Sequence, residues 1–134
     1  MRCAREDTLP AADYIAVLAE TSLGARRPLG NAERIRAMLA GADLIVTARD
    51  EDGTLAGLAR CLSDGAWVCY CAELAVRESY QGKGIGKAIL DKAAEILGPG
   101  VAITLLAYPD AAGFYERIGM RPAQAFYRER LDSL

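Results

Sequence analysis

The sequence predicts an α/β (α+β) protein in which about four helices flank a mixed, mostly antiparallel central sheet of about six to seven strands. Two observations lead to this prediction. The chain has 134 residues, 52% hydrophobic and 25% charged, as expected for a single globular domain over 1–134. Segments of helical period alternate with short apolar segments, and the strand–helix–strand order over 66–107 requires a parallel pair with a right-handed crossover.

The predicted strands are short segments rich in β-branched and apolar residues and bounded by turn residues. The turn sequences "EDG" at 51–53 and "DG" at 64–65 join three of these segments into an antiparallel meander. In chain order the predicted strands cover residues 2–6, 43–50, 54–63, 66–76, 101–108 and 123–131.

The predicted helices have apolar residues at helical spacing and characteristic residues at their ends. Pro10 suits a first helical turn, Asn31 is a good N-cap, and Gly41 is a good stop. In chain order the predicted helices cover residues 9–24, 31–41, 82–97 and 111–119.

The composition argues against several classes of protein. The net charge is −2 and there is no run of basic residues, so we expect no nucleic-acid partner. The residues after Met1, "RCAREDTLP", are charged where a secretion signal needs apolar residues, and no apolar run approaches the roughly 20 residues of a membrane span. We therefore expect a cytoplasmic protein with no membrane partner.

The chain has no histidine, which excludes Ser–His and Cys–His nucleophile systems. Its cysteines, at positions 3, 61, 69 and 71, form no C-x-x-C pair. We therefore expect no metal site and interpret these cysteines as small apolar residues of the core.

The stretch "SYQGKGIGKAIL" (79–90) has three closely spaced glycines, each of which costs about 0.5–1 kcal/mol on folding relative to alanine. A P-loop would need glycine at position 81 and a hydroxyl residue at position 88, where Gln81 and Ala88 stand. A dinucleotide fingerprint would need G-x-G-x-x-G rather than G-x-G-x-G. A glycine turn at a helix N-terminus, whose free N–H groups and dipole bind phosphate, fits the residues better than a merely flexible turn.

Two segments together carry a family resemblance. "LAVRESYQGKGIGKAIL" (74–90) resembles the acetyl-CoA signature of the GNAT family of N-acetyltransferases, and "AAGFYERIGMRP" (111–122) resembles the second signature of that family. The resemblance implies the GNAT fold along nearly the whole chain, with acetyl-CoA as co-substrate.

The resemblance also implies where coenzyme A would bind. Backbone amides of 82–87 would hold its pyrophosphate, and pantetheine would pair with the edge of strand 66–76 where that strand splays from strand 101–107. A main-chain N–H group near Leu74–Val76 would polarise the thioester carbonyl. The cofactor-binding residues expected from the resemblance are Leu74, Ala75, Val76, Gln81, Gly82, Lys83, Gly84, Ile85, Gly86, Lys87 and Tyr115.

Glu73 is the candidate catalytic base, because it is the one charged residue in the predicted strand 66–76. Burial of this carboxylate would raise its pKa toward a useful value, whether it acts directly or through a water. Two alternatives stay open: Glu73 binds a cationic acceptor, or it is a structural residue that pairs with an arginine or faces solvent.

Tyr115 is the candidate catalytic acid, since the resemblance implies that the tyrosine of the Phe-Tyr pair protonates the leaving thiolate. A phenol is neutral at pH 7 and can donate. The alternative is an aromatic side chain that packs on the core beside Ile118.

The resulting prediction is an N-acetyltransferase that moves acetyl from acetyl-CoA to a primary amine by direct transfer in a ternary complex. A small-molecule amine is favoured over a protein, and the acceptor itself stays open. Cys69 and Cys71 are expected on the same strand face as Glu73, so a covalent acetyl-cysteine route is a minor alternative. A non-catalytic module that senses coenzyme A is the other class of function, and a homodimer is a further expectation.

Overall fold

The computed structural model describes residues 1–132 and contains one five-stranded sheet in the order β1-β2-β3-β4-β5. Neighbouring strands are antiparallel except β4 and β5, which are parallel. The strands are β1 (Arg2–Arg5), β2 (Leu44–Arg49), β3 (Leu55–Ser63), β4 (Val68–Val76) and β5 (Ala102–Thr104).

A helix forms at each of the four predicted places, but the first ends at Leu18 rather than at Gly24. The side chain of Asn31 caps its helix by accepting a hydrogen bond from the Arg34 N–H at 3.0 Å. None of the helices within residues 1–132 is long and apolar enough to cross a membrane. The helices are α1 (Ala11–Leu18), α2 (Ala32–Ala40), α3 (Ile85–Leu97) and α4 (Ala112–Arg117), with short 3₁₀ turns at Ser22–Arg26 and Glu78–Tyr80.

The sheet has five strands rather than the six to seven predicted. The predicted strand 101–108 is reduced to Ala102–Thr104, and 123–131 has no strand structure. Residues 121–132 are all exposed, with Phe126 at 92% and Leu131 at 101%. A strand exists through pairing with a neighbour, and the apolar composition of 123–131 does not produce one without it. The mixed sheet and its parallel pair are confirmed.

Helices cover both faces of the sheet. On one face α3 places Ile85, Ile89 and Ala93 against β2, β3 and β4. On the other face α1 places Tyr14 and Leu18 against β3 and β4, and Ile35 and Leu39 of α2 join the same apolar cluster. This two-sided burial is typical of α/β layering, and it explains why the central strands are almost continuously apolar.

A β-bulge interrupts β4 at Ala72. The register pairs Arg60 with Glu73 but Cys61 with Cys71, so two residues of β4 face one step of β3. Because of the bulge, the side chains of Cys71 and Glu73 point to opposite faces of the sheet. Cys71 packs in the cluster under α3, whereas Glu73 bonds to Tyr14 of α1 on the other face. The expectation that Cys69, Cys71 and Glu73 share one face is therefore wrong.

Candidate active site

A cleft of about 910 Å³ opens where β4 and β5 separate. The two strands are paired only over Val68–Tyr70 and Ala102–Thr104, so the edge of β4 beyond Tyr70 is not paired with β5. Four segments wall the cleft: residues 71–76 of β4, the glycine turn with the start of α3, α4 with the loop before it, and the segment 20–23 that follows α1. The cleft therefore joins both sequence signatures in one site.

The glycine turn has a backbone that favours glycine at two positions. Gly82 has φ +77° and Gly84 has φ +79°, a left-handed conformation that side chains with a Cβ rarely adopt. The Ala88 N–H donates to the Gly84 carbonyl at 3.1 Å, so the three N–H groups of 85–87 precede the first helical hydrogen bond. A helix terminus of this kind fits an anionic phosphate group.

Gly86 sets the distance between the start of α3 and the start of α4. A Cβ built on Gly86 would lie 3.0 Å from the Phe114 ring and 3.7 Å from a methyl carbon of Leu74. The missing side chain therefore lets the glycine turn and Phe114 pack closely against each other in the cleft.

The predicted binding residues all line the cleft except Lys83. The Lys83 ammonium lies 5.6 Å from the centroid of the Tyr80 ring. Lys87 does line the cleft and pairs with Asp91 at 2.7 Å on the half-exposed surface of α3.

The free edge of β4 points main-chain donors into the cleft. The Arg77 N–H donates to the Ala56 carbonyl at 2.8 Å, so the alternation of an antiparallel ladder directs the backbone groups of Ala75 toward β3 as well. The N–H groups of Leu74 and Val76 are directed the other way, into the cleft. The Gln81 side chain donates to the Val76 carbonyl at 2.9 Å on that side and ties the glycine turn to the strand.

Tyr115 lies at the cleft on α4 and is half-buried. Its ring meets Phe114 edge-to-face, with 5.0 Å between ring centroids. Burial, followed by the nearby Cys71 thiol, raises the pKa of Tyr115 to about 12. The phenol therefore keeps its proton at neutral pH and can act as a donor.

Glu73 is fully buried and saturated with hydrogen-bond donors. Arg60 donates through Nε and Nη2 to the two carboxylate oxygens, both at 2.6 Å. Arg27 Nε donates to Oε2 at 2.8 Å, and the Tyr14 hydroxyl donates to Oε1 at 2.9 Å. An ionised carboxylate has about four lone-pair positions, and these donors occupy them.

The expectation of a raised pKa for Glu73 is wrong. Burial alone would raise the pKa of Glu73, but the hydrogen bonds and positive charges of Arg60 and Arg27 outweigh it and hold the pKa below its ordinary value. An amine proton would have to displace a bonded arginine or tyrosine. The geometry favours the structural role that the sequence left open, with Glu73 paired to arginine.

The cysteines near the cleft are buried thiols. A hydrogen bond with Cys71, followed by burial, raises the pKa of Cys61 far above its ordinary value, and burial raises the pKa of Cys69 to about 12, so neither forms the reactive thiolate at neutral pH. The Cys71 thiol donates to the Glu73 carbonyl oxygen at 3.2 Å. In the part of the chain covered by residues 1–132, no group of three or more His, Cys, Asp or Glu side chains is placed to hold a metal ion.

Sequence reasoning missed the partners of Glu73. Arg60 is the one charged residue of β3, which was an available signal. Counting from the Ser63–Cys69 pair along a regular ladder would place Arg60 opposite Ala72, and only the bulge brings it to Glu73. Tyr14 and Arg27 come from distant segments, and no local pattern links them to β4.

One wall of the cleft includes Ser22 and Leu23, at the start of the 3₁₀ turn Ser22–Arg26. Arg77 and the N–H of Glu78 both donate to the Glu20 carboxylate, which anchors the chain before this turn. The Arg26 guanidinium stacks 3.6 Å from the centroid of the Tyr108 ring. This contact ties the turn to the loop that leads into α4.

A glycine turn at a helix start, a splayed parallel strand pair and a tyrosine on the following short helix together define a fold of the acetyltransferase class. Residues 41–129 match the acetyltransferase (GNAT) domain. The chain therefore belongs to the GNAT acetyltransferase family.

The structure is similar to that of a candidate acetyltransferase from Deinococcus radiodurans R1, with a TM-score of 0.75 and 25% identity over 96% of this chain and 87% of that one. The sequence is 32% identical to Serotonin N-acetyltransferase 2, chloroplastic, of Oryza sativa subsp. japonica, over 77% of this chain and 57% of the relative. It is 27% identical to an uncharacterised N-acetyltransferase of Pyropia yezoensis, over 70% of this chain and 55% of that relative. The chain thus spans little more than half the length of these two relatives.

Proposed function

We propose that this protein transfers acetyl from acetyl-CoA to a small-molecule primary amine by direct transfer in a ternary complex. The observation that carries the proposal is the single cleft that joins the glycine turn, the free edge of β4 and Tyr115. Membership of the GNAT family supports acetyl transfer in general.

The residues of the cleft fit coenzyme A. The free N–H groups of 85–87 and the left-handed glycines before them would hold the pyrophosphate, with Lys87 adding positive charge. The unpaired edge of β4 would bind the extended pantetheine arm as an added strand binds a sheet edge. Acetyl-CoA supplies an activated thioester to this arrangement.

Two groups of this chain serve the chemical step. The N–H groups of Leu74 and Val76 face the cleft and would donate to the carbonyl oxygen as negative charge develops there. The protonated Tyr115 hydroxyl would donate its proton to the leaving sulfur. Glu73 takes no part in proton transfer in this proposal, because its oxygens already accept from Arg60, Arg27 and Tyr14. The amine attacks in its neutral form, in equilibrium with solvent, and the new C–N bond replaces the C–S bond. The nitrogen releases its extra proton to solvent, and solvent reprotonates Tyr115.

The acceptor is expected to approach from the wall formed by the Ser22–Arg26 turn and Tyr108. The rice relative is named for serotonin, an amine carried on an aromatic ring system. This relative supports arylalkylamines as the first acceptors to try. The aromatic face of Tyr108 is a suitable wall for such a ring.

The test is an amine panel with acetyl-CoA and the purified protein. The panel contains serotonin, a free amino acid, an aminoglycoside and a lysine peptide, with thiol release measured over hydrolysis and products identified by mass spectrometry. We expect one or more amines to yield acetylated product, and the Tyr115→Phe variant to be slower on the same amine. Binding of coenzyme A without product from any amine would contradict the proposal and favour a module that senses coenzyme A.

A further inference from the structure

The bulge at Ala72 sets the register of the cleft edge of β4. A shift of one residue in a strand turns every following side chain and backbone group to the opposite side. Because Leu74 and Val76 follow the bulge, the direction of their N–H groups depends on Ala72 staying extruded from the ladder. Whatever holds the bulge therefore also aims the donors that the proposed function uses.

Arg27 binds the bulge at two consecutive residues. Its Nη2 donates to the Ala72 carbonyl at 2.9 Å, and its Nε donates to Glu73 Oε2 at 2.8 Å. Its third nitrogen, Nη1, donates to the Arg26 carbonyl at 3.0 Å. The planar guanidinium thus spans the extra residue of β4 and the residue after it, with the side chain only 17% exposed.

Arg27 also connects two walls of the cleft. It directly follows the 3₁₀ turn Ser22–Arg26, whose residues Ser22 and Leu23 form part of one wall. Its bonds to Ala72 and Glu73 fix that wall to the strand that carries the main-chain donors.

We infer that Arg27 is a positioning residue for acetyl transfer: it holds the β4 bulge in the register that points the N–H groups of Leu74 and Val76 into the cleft. The inference rests on the proposed function. Arg27 donates to no reacting atom and acts through the backbone of β4.

Removal of Arg27 leaves Glu73 paired. Arg60 keeps both of its bonds to the carboxylate, and the Tyr14 hydroxyl keeps its own. The Arg27→Gln variant is therefore expected to fold, which allows its kinetics to be measured. Arg27→Lys keeps the positive charge beside Glu73 but lacks the rigid fork that reaches Ala72 and Glu73 together.

The experiment compares Arg27→Gln and Arg27→Lys with Arg36→Gln, an exposed position on α2 that loses the same charge. Steady-state kinetics use the best amine of the panel, and calorimetry gives the Kd of coenzyme A. We expect kcat to fall at least tenfold in both Arg27 variants, with Kd changed less than threefold. Arg36→Gln should match the wild type in both measurements.

Isotope-edited infrared spectra of bound acetyl-CoA labelled with ¹³C at the acetyl carbonyl report the donors directly. In the wild type the bound carbonyl band should lie below that of free acetyl-CoA, because the N–H groups polarise it. In Arg27→Gln this lowering should shrink by at least half. A purely structural role for Arg27 would leave the band of the folded variant unchanged.

Two results would overturn the inference: a kcat for Arg27→Gln within twofold of wild type, or full recovery of kcat in Arg27→Lys. Failure of the proposed function looks different, because the wild type itself would then acetylate no amine of the panel, whether or not it binds coenzyme A. In that case the inference falls with it. Should Arg27→Gln prove too unstable for kinetics, the infrared band and kcat of Arg27→Lys decide the question alone.

Discussion

At the scale of single residues, Glu73 has the most restrictive surroundings of the side chains described. A buried carboxylate that accepts from two arginines and a tyrosine is held in one orientation and one charge state. The same bonds that make it stable leave it without a free lone pair for an incoming amine proton. Glu73, which the sequence predicts as a base because it is the one charged residue of β4, lies at the centre of an ion cluster.

Replacing Glu73 with glutamine should reduce stability strongly and leave the chemistry of proton transfer alone. The variant leaves Arg60 and Arg27 with uncompensated buried charge, which typically costs about 3–5 kcal/mol of unfolding free energy. Chemical denaturation measures this loss, and Glu51→Gln, on an exposed turn, is the control with an expected change below about 0.5 kcal/mol. The pH dependence of kcat/KM in the folded variant should keep its shape, and loss of the acidic limb, on which kcat/KM rises with pH, would restore Glu73 as the base.

Tyr115→Phe should lower kcat by about 10²-fold or more, because it removes the proton donor to the leaving thiolate and keeps the ring. The raised pKa of Tyr115, about 12, also predicts how kcat depends on pH. An acid must be protonated to act, so activity is lost only as pH rises through that value, and kcat of the wild type should not decline near pH 10. A decline there that disappears in the phenylalanine variant would contradict the raised pKa, and equal kcat values would contradict the role.

At the scale of elements, the start of α4 packs through Phe114 against Gly86 at the start of α3. Gly86→Ala adds a methyl group 3.0 Å from the Phe114 ring, so α4 must move or the helix start must shift. We expect the Kd for coenzyme A to rise about tenfold, an effect of about 1.4 kcal/mol. Calorimetric titration checks it. Gly30→Ala is the matched control, since a Cβ there has no atom within 4 Å, and equal Kd values for both variants would remove the contact from the binding site.

Elements could be predicted from the sequence where local patterns decide them. The apolar stripe of α3, the cap of Asn31 and the turns "EDG" and "DG" act within a few residues, and the structure has elements there. The predicted strand 123–131 failed because a strand needs a partner edge as well as composition.

The bulge at Ala72 could not be predicted, because it depends on the fit of β4 to β3 rather than on the residues of β4 themselves. Three consequences of the bulge could not be predicted for the same reason. They are the face of the sheet on which Glu73 lies, the pairing of Glu73 with Arg60, and the hydrogen bond from Arg27 to the Ala72 carbonyl. The binding residues carried over from the two signatures were placed together at the cleft except Lys83.

At the scale of the whole molecule, buried and partly buried ion pairs make the free energy of unfolding depend on pH. The hydrogen bond from Arg49 holds the pKa of Glu6 below its ordinary value, and Arg60 and Arg27 do the same for the pKa of Glu73. A carboxyl group whose pKa is lower in the folded than in the unfolded state stabilises the fold at pH values above its unfolded pKa of about 4.3. This stabilisation is lost as the pH falls through the pKa of the folded state. We expect unfolding free energy to be steady from pH 7 to about 5 and to fall below that.

The Glu6→Gln variant tests this dependence because Glu6 is only partly buried and its loss should be tolerated. Its unfolding free energy should fall less between pH 5 and 3 than that of the wild type. Denaturation at several pH values gives both curves. Parallel curves would show that the Glu6–Arg49 pair contributes nothing to acid sensitivity.

The ion cluster around Glu73 also bears on how the chain assembles. Its bonds join positions 59 residues apart, between Tyr14 and Glu73, and 46 apart, between Arg27 and Glu73. An intermediate that buried β4 before these donors arrived would enclose a lone carboxylate, a state that is unfavourable by several kcal/mol. The floor of the cleft can therefore form only together with both α1 and the segment after it. Enzymatic activity and global structure should disappear at the same denaturant concentration, so that no half-folded form of the chain is catalytically competent.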